Sequence, residues 1–293
     1  MFDKILAHKT TLALAGGFIL LVVLASVLAP KFFFKKVELP TEEVELPFDP
    51  NGPYALLLPR RDGNAVILNM KRVGNYDGFS YELTYQSENE EKDLIDRGVT
   101  GSLTSDSTKS EYSQEILFGT CSKGNTWDSL HCVFDKGIEN GDLNLKIKEK
   151  PQPKAKVVRV FKMATTWHFQ KPDVALGIIT SADGHFSYKT DASKNDLVTV
   201  GYTLVNDLTG APKLPDGKGI LGKVYAFNIP EAKEFPAGAV SIELPSDAPP
   251  DAKIAQYKEK NNSWILLDTK IDKSKVSAQG DGAGIYTVLT TAK

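Results

Sequence analysis

An all-β body behind a single N-terminal transmembrane helix is the architecture this sequence predicts. Three observations carry that expectation. One long uncharged apolar run lies close to the start of the chain. From Tyr54 onward, short segments rich in β-branched and aromatic residues recur at intervals of about ten residues, separated by turn residues. Helical periodicity of useful length is found nowhere beyond the apolar run. Regular short strands with turn punctuation indicate β-sandwiches, and the length of the body allows two of them.

The apolar run, TTLALAGGFILLVVLASVLAP, lies between Lys9 and Lys31. At about 1.5 Å of rise per residue, its roughly 21 residues match a hydrocarbon core of about 30 Å. Residues 1–30 are therefore expected to form an anchor, with residues 10–30 partnered by the lipid bilayer. A cleaved signal peptide is the competing reading, and Val23-Leu24-Ala25 would permit cleavage before Ser26, but signal-peptide apolar regions are usually about 7–15 residues long. Lys4 and Lys9 precede the run, while Lys31, Lys35 and Lys36 follow it, so charge alone leans towards a cytoplasmic body. The N-terminal position of the run and the cysteine pair discussed below favour export. The expected location is the cell membrane, single-pass, with the body extracytoplasmic.

The formal charge is −2, from 35 basic and 37 acidic side chains, and no basic stripe is present, which excludes nucleic acid as an expected partner. Residues 31–50 read as a juxtamembrane stalk. KFFFKK resembles an interfacial belt, and Glu38, Glu42, Glu43, Glu45 and Asp49 follow among Pro40, Pro47 and Pro50. Like charge and proline predict an extended, solvated spacer.

The first β body is expected over 51–170. PYALLLP and NAVILNM flank Arg60-Arg61-Asp62-Gly63, a hairpin signal. FSYELTY places Phe79, Tyr81, Leu83 and Tyr85 on one face of a half-buried strand. DLNLKIK repeats the alternation with Leu143, Leu145 and Ile147 after the Asn140-Gly141 turn, and KVVRVFKMATTWHF is a long strand that Trp167 and Phe169 help to bury. A second β body is expected over 171–293, beginning after Gln170-Lys171-Pro172-Asp173. Its strands include ALGIIT and HFSYKT around the turn Ser181-Ala182-Asp183-Gly184, then LVTVGYTLV, KVYAFNIP, AVSIELP, KIAQYKE, SWILLDT, KVSAQ and GIYTVLTT.

The stretch PAGAVSIELPSDAPPDAKIAQYKEKNNSWILLDT, followed by VSAQGDGAGIYTVL, resembles Ig-like and ZU5-like β-sandwich modules of bacterial cell-surface proteins. The resemblance rests on Pro245 at a strand end, Tyr257, Trp264, and the closing pair Tyr286 and Val288. These are packing residues. The resemblance implies an Ig-like or ZU5-like fold for the C-terminal part, covers under a fifth of the chain and brings no activity with it.

Few residues offer chemistry. The two cysteines lie in CSKGNTWDSLHC, and outside the cytoplasm an isolated pair is expected to form a disulfide, Cys121–Cys132. Leu117-Phe118-Gly119-Thr120-Cys121 is loosely similar to the nucleophile segment of sortases, but the only histidine upstream is His8, beside the anchor. Ser129-Leu130-His131-Cys132 is similar to that of L,D-transpeptidases and lacks the flanking glycine and arginine. Cys121, His131 and Cys132 fall short of a zinc set, because adjacent residues rarely reach one tetrahedral ion and a fourth ligand is not apparent. Asp135–Asp142 is oxygen-rich without the alternating ligand spacing of an EF-hand. His168 and His185 lie beside no nucleophile. No catalytic residue, metal ligand or cofactor is expected.

Trp127, in the cysteine-bounded loop, is the candidate binding residue, because a loop tryptophan either folds over the core or meets a partner. The segment Asp207–Gly219 is a second candidate contact surface. The pattern implies a membrane-anchored extracytoplasmic surface protein with a non-enzymatic binding, adhesion or scaffolding role towards a protein or envelope polymer. Two alternatives stand beside it: an extracytoplasmic subunit of a secretion or pilus-type machine, to which Gly16-Gly17 in the apolar run would suit helix packing, and a cysteine-dependent envelope enzyme.

Overall fold

Alternation along the strands decides which side chains meet, and a computed structural model shows the outcome for residues 39–104, 109–123, 130–153, 155–172 and 177–292. The expected membrane helix at 10–30 lies outside these described residues. Among them no helix is long and apolar enough to cross a membrane. The chain from Thr41 onward is one compact unit, and its described residues are all β apart from short helical turns at Lys194–Leu197 and Glu259–Asn261.

The strands in chain order are β1 Thr41–Glu45, β2 Tyr54–Pro59, β3 Ala65–Lys71, β4 Tyr76–Glu88, β5 Leu94–Thr104, β6 Tyr112–Leu117, β7 Gly119–Lys123, β8 Leu130–Phe134, β9 Asn140–Glu149 and β10 Val158–Gln170. They continue as β11 Ile178–Thr180, β12 Phe186–Lys189, β13 Tyr202–Val205, β14 Lys218–Asn228, β15 Gly238–Glu243, β16 Lys253–Lys258, β17 Ser263–Leu266, β18 Thr269–Asp272, β19 Lys275–Gly280 and β20 Gly284–Thr291. Two of the three turn signals close the β2–β3 and β11–β12 hairpins, where Gly63 and Gly184 take φ of 68° and 74°, whereas Asn140-Gly141 opens strand β9 instead of turning.

A ten-stranded sheet runs in the order β17-β16-β20-β14-β13-β10-β9-β4-β5, with β1 alongside β10. Strand β10 joins its halves. One edge pairs with β9; the other takes β1 in parallel over Val158–Lys162 and β13 antiparallel over Trp167–Gln170. The expected boundary at 170/171 therefore falls at the end of a strand that pairs with the chain beyond it. Two hydrophobic cores lie on opposite faces of this continuous sheet.

The first core lies between the small sheet β2-β3-β6 and the face of the large sheet that carries Phe79, Leu83, Leu145, Met163 and Trp167. The second lies between the sheet β11-β12-β15-β19-β18 and the opposite face, where Tyr202, Leu204, Phe227, Ile254 and Tyr286 point. Strands β13 and β16, with parts of β14 and β20, are thus covered on both sides. Tyr202 and Leu204 serve the second core, while Val205, Ala226 and Ile285 serve the first. Burial on both faces is why YTLV, VYAF and IYTVL read as unbroken apolar runs instead of alternating ones. Thr203, fully buried on the first-core face, donates its hydroxyl to the Leu57 carbonyl of β2, which satisfies both groups and ties the small sheet to the large one.

Trp167 anchors the first core. It has no exposed surface and stacks on Phe118 at 5.9 Å between ring centroids. Space for its indole is left by Gly141. A Cβ there would sit 2.1 Å from the Thr84 carbonyl oxygen and 2.7 Å from the Trp167 ring. Gly101 plays a similar part beneath Tyr81, its direct cross-strand partner.

The segment expected as a solvated spacer is packed in its second half. Residues 41–45 form β1, and Leu46 continues the pairing by donating its N–H to the Lys162 carbonyl at 2.7 Å. Glu43 meets Lys146 at 2.7 Å and Lys162 at 2.5 Å. Hydrogen bonds from these two lysines hold its carboxyl at about 2, well below the ordinary carboxylate range. The clustered glutamates repel one another only until lysines from β9 and β10, distant in sequence, are brought beside them.

Gly141→Ala is expected to destabilise the protein by about 1–3 kcal/mol through overpacking against Trp167, read as a lower urea midpoint with unchanged slope. Glu43→Lys is expected to free β1 while the rest of the fold persists, read as faster amide exchange confined to 41–46. In the wild type that protection should be complete above the ordinary carboxylate range. It should weaken as pH falls towards about 2.

Candidate functional site

The cysteine pair sits where the sequence placed it. Cys121 and Cys132 face each other across the two-stranded ribbon β7–β8, with sulfurs 2.05 Å apart and Cα atoms 4.1 Å apart. Joined in this way, neither sulfur offers a thiolate or a zinc ligand. Both feet of the ribbon are fixed in the first core. Phe118, just before β7, is fully buried against Tyr85, Trp167 and Phe169. Asp135, just after β8, donates its N–H to the Phe118 carbonyl at 3.0 Å and accepts the Tyr85 hydroxyl at 2.9 Å. Val133 is 72% exposed on the ribbon. Trp127 lies outside the described residues.

The second expected contact surface is buried at its centre and exposed at Asp207, Lys213, Asp216 and Gly217. Within Asp207–Gly219, Leu208, Gly210, Ala211 and Pro212 are buried, and Thr209 donates its hydroxyl to the Pro53 carbonyl at 2.9 Å. A Cβ on Gly210 would lie 2.5 Å from the Gly52 carbonyl. Residues 206–217 form the loop between β13 and β14, and its centre packs backbone against backbone. The oxygen-rich stretch Asp135–Asp142 diverges as well: Asp135 turns to Tyr85 and Arg97, while Asp142 sits in β9 facing outward. Among the described residues no group of three or more His, Cys, Asp or Glu side chains is arranged to hold a metal ion.

The histidines join no catalytic constellation among the described residues. His168 contacts Asn140 Oδ1 through Nδ1 at 3.0 Å, and burial lowers its pKa. Ser181, Asp183 and Lys223 come closest to a serine-and-base grouping. Ser181 donates to Asp183 and accepts the Phe186 N–H at 3.0 Å. Asp183 also takes the His185 N–H at 3.1 Å and Lys223 at 3.2 Å. Burial alone would raise the Asp183 pKa, but these hydrogen bonds outweigh it and hold the carboxyl low. The cluster closes the β11–β12 turn and leaves its hydroxyl committed.

Sequence reasoning missed a cleft of about 910 Å³ where β14 and β16 end and β20 begins. Leu56, Leu58 and Phe227 contribute apolar surface, and Glu231, Lys233, Glu234, Lys258, Lys260 and Asp281 contribute charge of both signs. Its lining contains no serine, threonine, cysteine or histidine. One wall, 281–284, is held from inside the protein. Gln256, fully buried, donates to the carbonyls of Asp281, Gly282 and Ala283 at 3.1, 3.2 and 3.2 Å and accepts the Asp281 N–H at 3.1 Å. Tyr188 donates to the Pro236 carbonyl at 2.7 Å and accepts the Gly282 N–H at 2.9 Å, and Tyr286 donates to the Gly282 carbonyl at 2.5 Å. A glutamine within an apolar strand was the available signal, since a buried amide must find partners.

Comparisons of the chain with protein-family models, with curated proteins and with solved structures find no match.

The buried tyrosines of the second core set an alkaline limit. Burial raises Tyr188 from 10.0 to about 12 and pushes Tyr202, Tyr225 and Tyr286 further up. The folded state holds these protons more tightly than the unfolded chain. The associated stability is therefore complete below pH 10 and declines as pH rises towards 12. Urea midpoints should fall steadily above pH 10, with tyrosinate absorbance from these residues appearing only on unfolding. Free ionisation in the folded protein near pH 10 would contradict the buried network.

Proposed function

We propose that this chain is a single-pass, membrane-anchored extracytoplasmic protein whose β body binds a protein or envelope polymer without catalysing a reaction. The observation that carries the reading is the Cys121–Cys132 pair at disulfide distance, since such bonds persist chiefly in oxidising compartments. The apolar run at 10–30 supplies the anchor. The ten residues 31–40 then span at most about 35 Å before β1 begins. In this reading the two cores on the shared sheet are two Ig-like sandwiches fused along β10, and the C-terminal one is the bacterial surface module that the sequence resembles.

Binding is assigned to the ribbon end of the molecule. A ribbon rooted in the core at Phe118 and Asp135 suits holding a contact loop at low entropic cost, and Trp127 is the side chain in that loop with most surface to offer a partner.

The expected outcome in intact cells or spheroplasts is that added protease removes the chain beyond about residue 50, and that no thiol reacts until a reductant is present. Protection that ends only on lysis, or two free thiols in the native protein, would overturn the location. Trp127→Ser should abolish capture of the envelope partner with the melting temperature unchanged. Turnover of peptidoglycan or polysaccharide by the purified protein would overturn the non-enzymatic reading.

A further inference from the structure

The two outer edges of the ten-stranded sheet are built differently. Edge strand β5 carries Asp96 and Arg97, both exposed, with Gly98 and Gly101 along its length. Charge on an edge discourages another strand from pairing with it. The opposite edge strand, β17, is Ser-Trp-Ile-Leu and carries no charge. Ile265 is 40% and Leu266 47% exposed, and Ile271 of the adjoining edge strand β18 is 38% exposed.

The backbone of β17 is presented for pairing. The Leu267 N–H donates inward to the Ile254 carbonyl at 2.9 Å, so Ile265, of the same parity, also faces β16. Trp264 and Leu266 therefore turn their N–H and C=O groups outward, and no strand lies beyond them among the described residues. Charge at the two ends of the strand is complementary. Lys258, Glu259 and Lys260 precede it, and Asp268, Lys270 and Asp272 follow it. Lys260 and Asp268 are exposed, and neither forms an ion pair among the described residues.

We propose that the β17 edge is a self-association surface, on which a second copy of this chain adds its own β17 antiparallel. A two-fold axis then brings Lys260 of each copy towards Asp268 of the other, whereas parallel addition would set like charge beside like. The outward groups of Trp264 and Leu266 complete the ladder, and Ile265 and Leu266 lose their exposure. An edge this short belongs with weak interfaces, below about 1,200 Å², so the dimer is expected to dissociate in the micromolar range. This surface is distinct from the ribbon that carries the proposed partner contact.

The test is the mass of the purified full-length chain in neutral detergent, followed by light scattering and sedimentation up to about 100 µM. The wild type should approach the mass of two chains. Leu266→Lys should give one chain, with the circular dichroism and melting temperature retained. Lys260→Asp and Asp268→Lys should each raise the dissociation constant by about tenfold or more, and the double reversal should restore it. Both residues are exposed, so this pair decides the matter even if Leu266→Lys disturbs the fold. A wild-type chain that stays single at about 100 µM, a dimer unaffected by all of these changes, or a double reversal no tighter than either single one would overturn the proposal.

Discussion

Everything in this molecule depends on one strand being long enough to belong to two neighbourhoods. Over its thirteen residues, β10 pairs with β9 along one edge and successively with β1 and β13 along the other. The sheet that results carries a core on each face, so its middle strands lose contact with water on both sides. Such strands gain burial twice and must place every polar group without water's help. Three polar residues inside them are committed in this way: Thr203 to Leu57, Thr287 to Lys223, and Gln256 to the turn at 281–283, while the Trp167 indole N–H is buried without a partner among the described residues. A fold of this kind specifies itself through hydrogen bonds as much as through shape, because each of the three committed groups has one satisfactory arrangement.

The same constraint separates what was legible in the sequence from what was not. Strand positions were readable where alternation was strict or an apolar run was bounded by turns, whereas β5 and β6, wet on one face, were not read as strands. FSYELTY and DLNLKIK alternate because their outer faces meet solvent, and their buried sets are the ones the pattern indicates. The cysteine pairing was equally legible, since a short loop leaves one partner for each thiol. Strand partnership was not. That Gln170 would sit opposite Tyr202 depends on tertiary register, and local composition around Lys171-Pro172 resembles any other break between bodies. The charged strand β1 was misread for a related reason: its stabilising lysines lie more than a hundred residues away in sequence, beyond the reach of any local pattern. The cleft wall at 281–284 was hidden because the side chains that organise it, Gln256, Tyr188 and Tyr286, belong to three different strands.

Glycine and aromatic residues work here as matched pairs. Gly141 makes room for the Trp167 ring, Gly101 for Tyr81, and Gly280 for Tyr286 and Tyr188. Each small residue lets a large ring lie flat across a neighbouring strand, which accounts for rings buried fully within a sheet of ordinary spacing. Sheet curvature and core volume are thereby set together, and enlarging the glycine disturbs both.

Strand β1 has a mechanical meaning. It is the first described element after the apolar run, and it lies parallel to β10 and held by backbone pairs and by Glu43 between two lysines. Tension on the N-terminal segment reaches β1 before any other part of the sheet. A pull along the strand loads its hydrogen bonds together, while a pull across it breaks them one after another. Once β1 lets go, the five residues 41–45 become slack, adding up to about 17 Å of reach before Leu46, packed against the first core, feels the load. Neither core has to open for this to happen, so the body has a built-in extension that leaves its interior undisturbed.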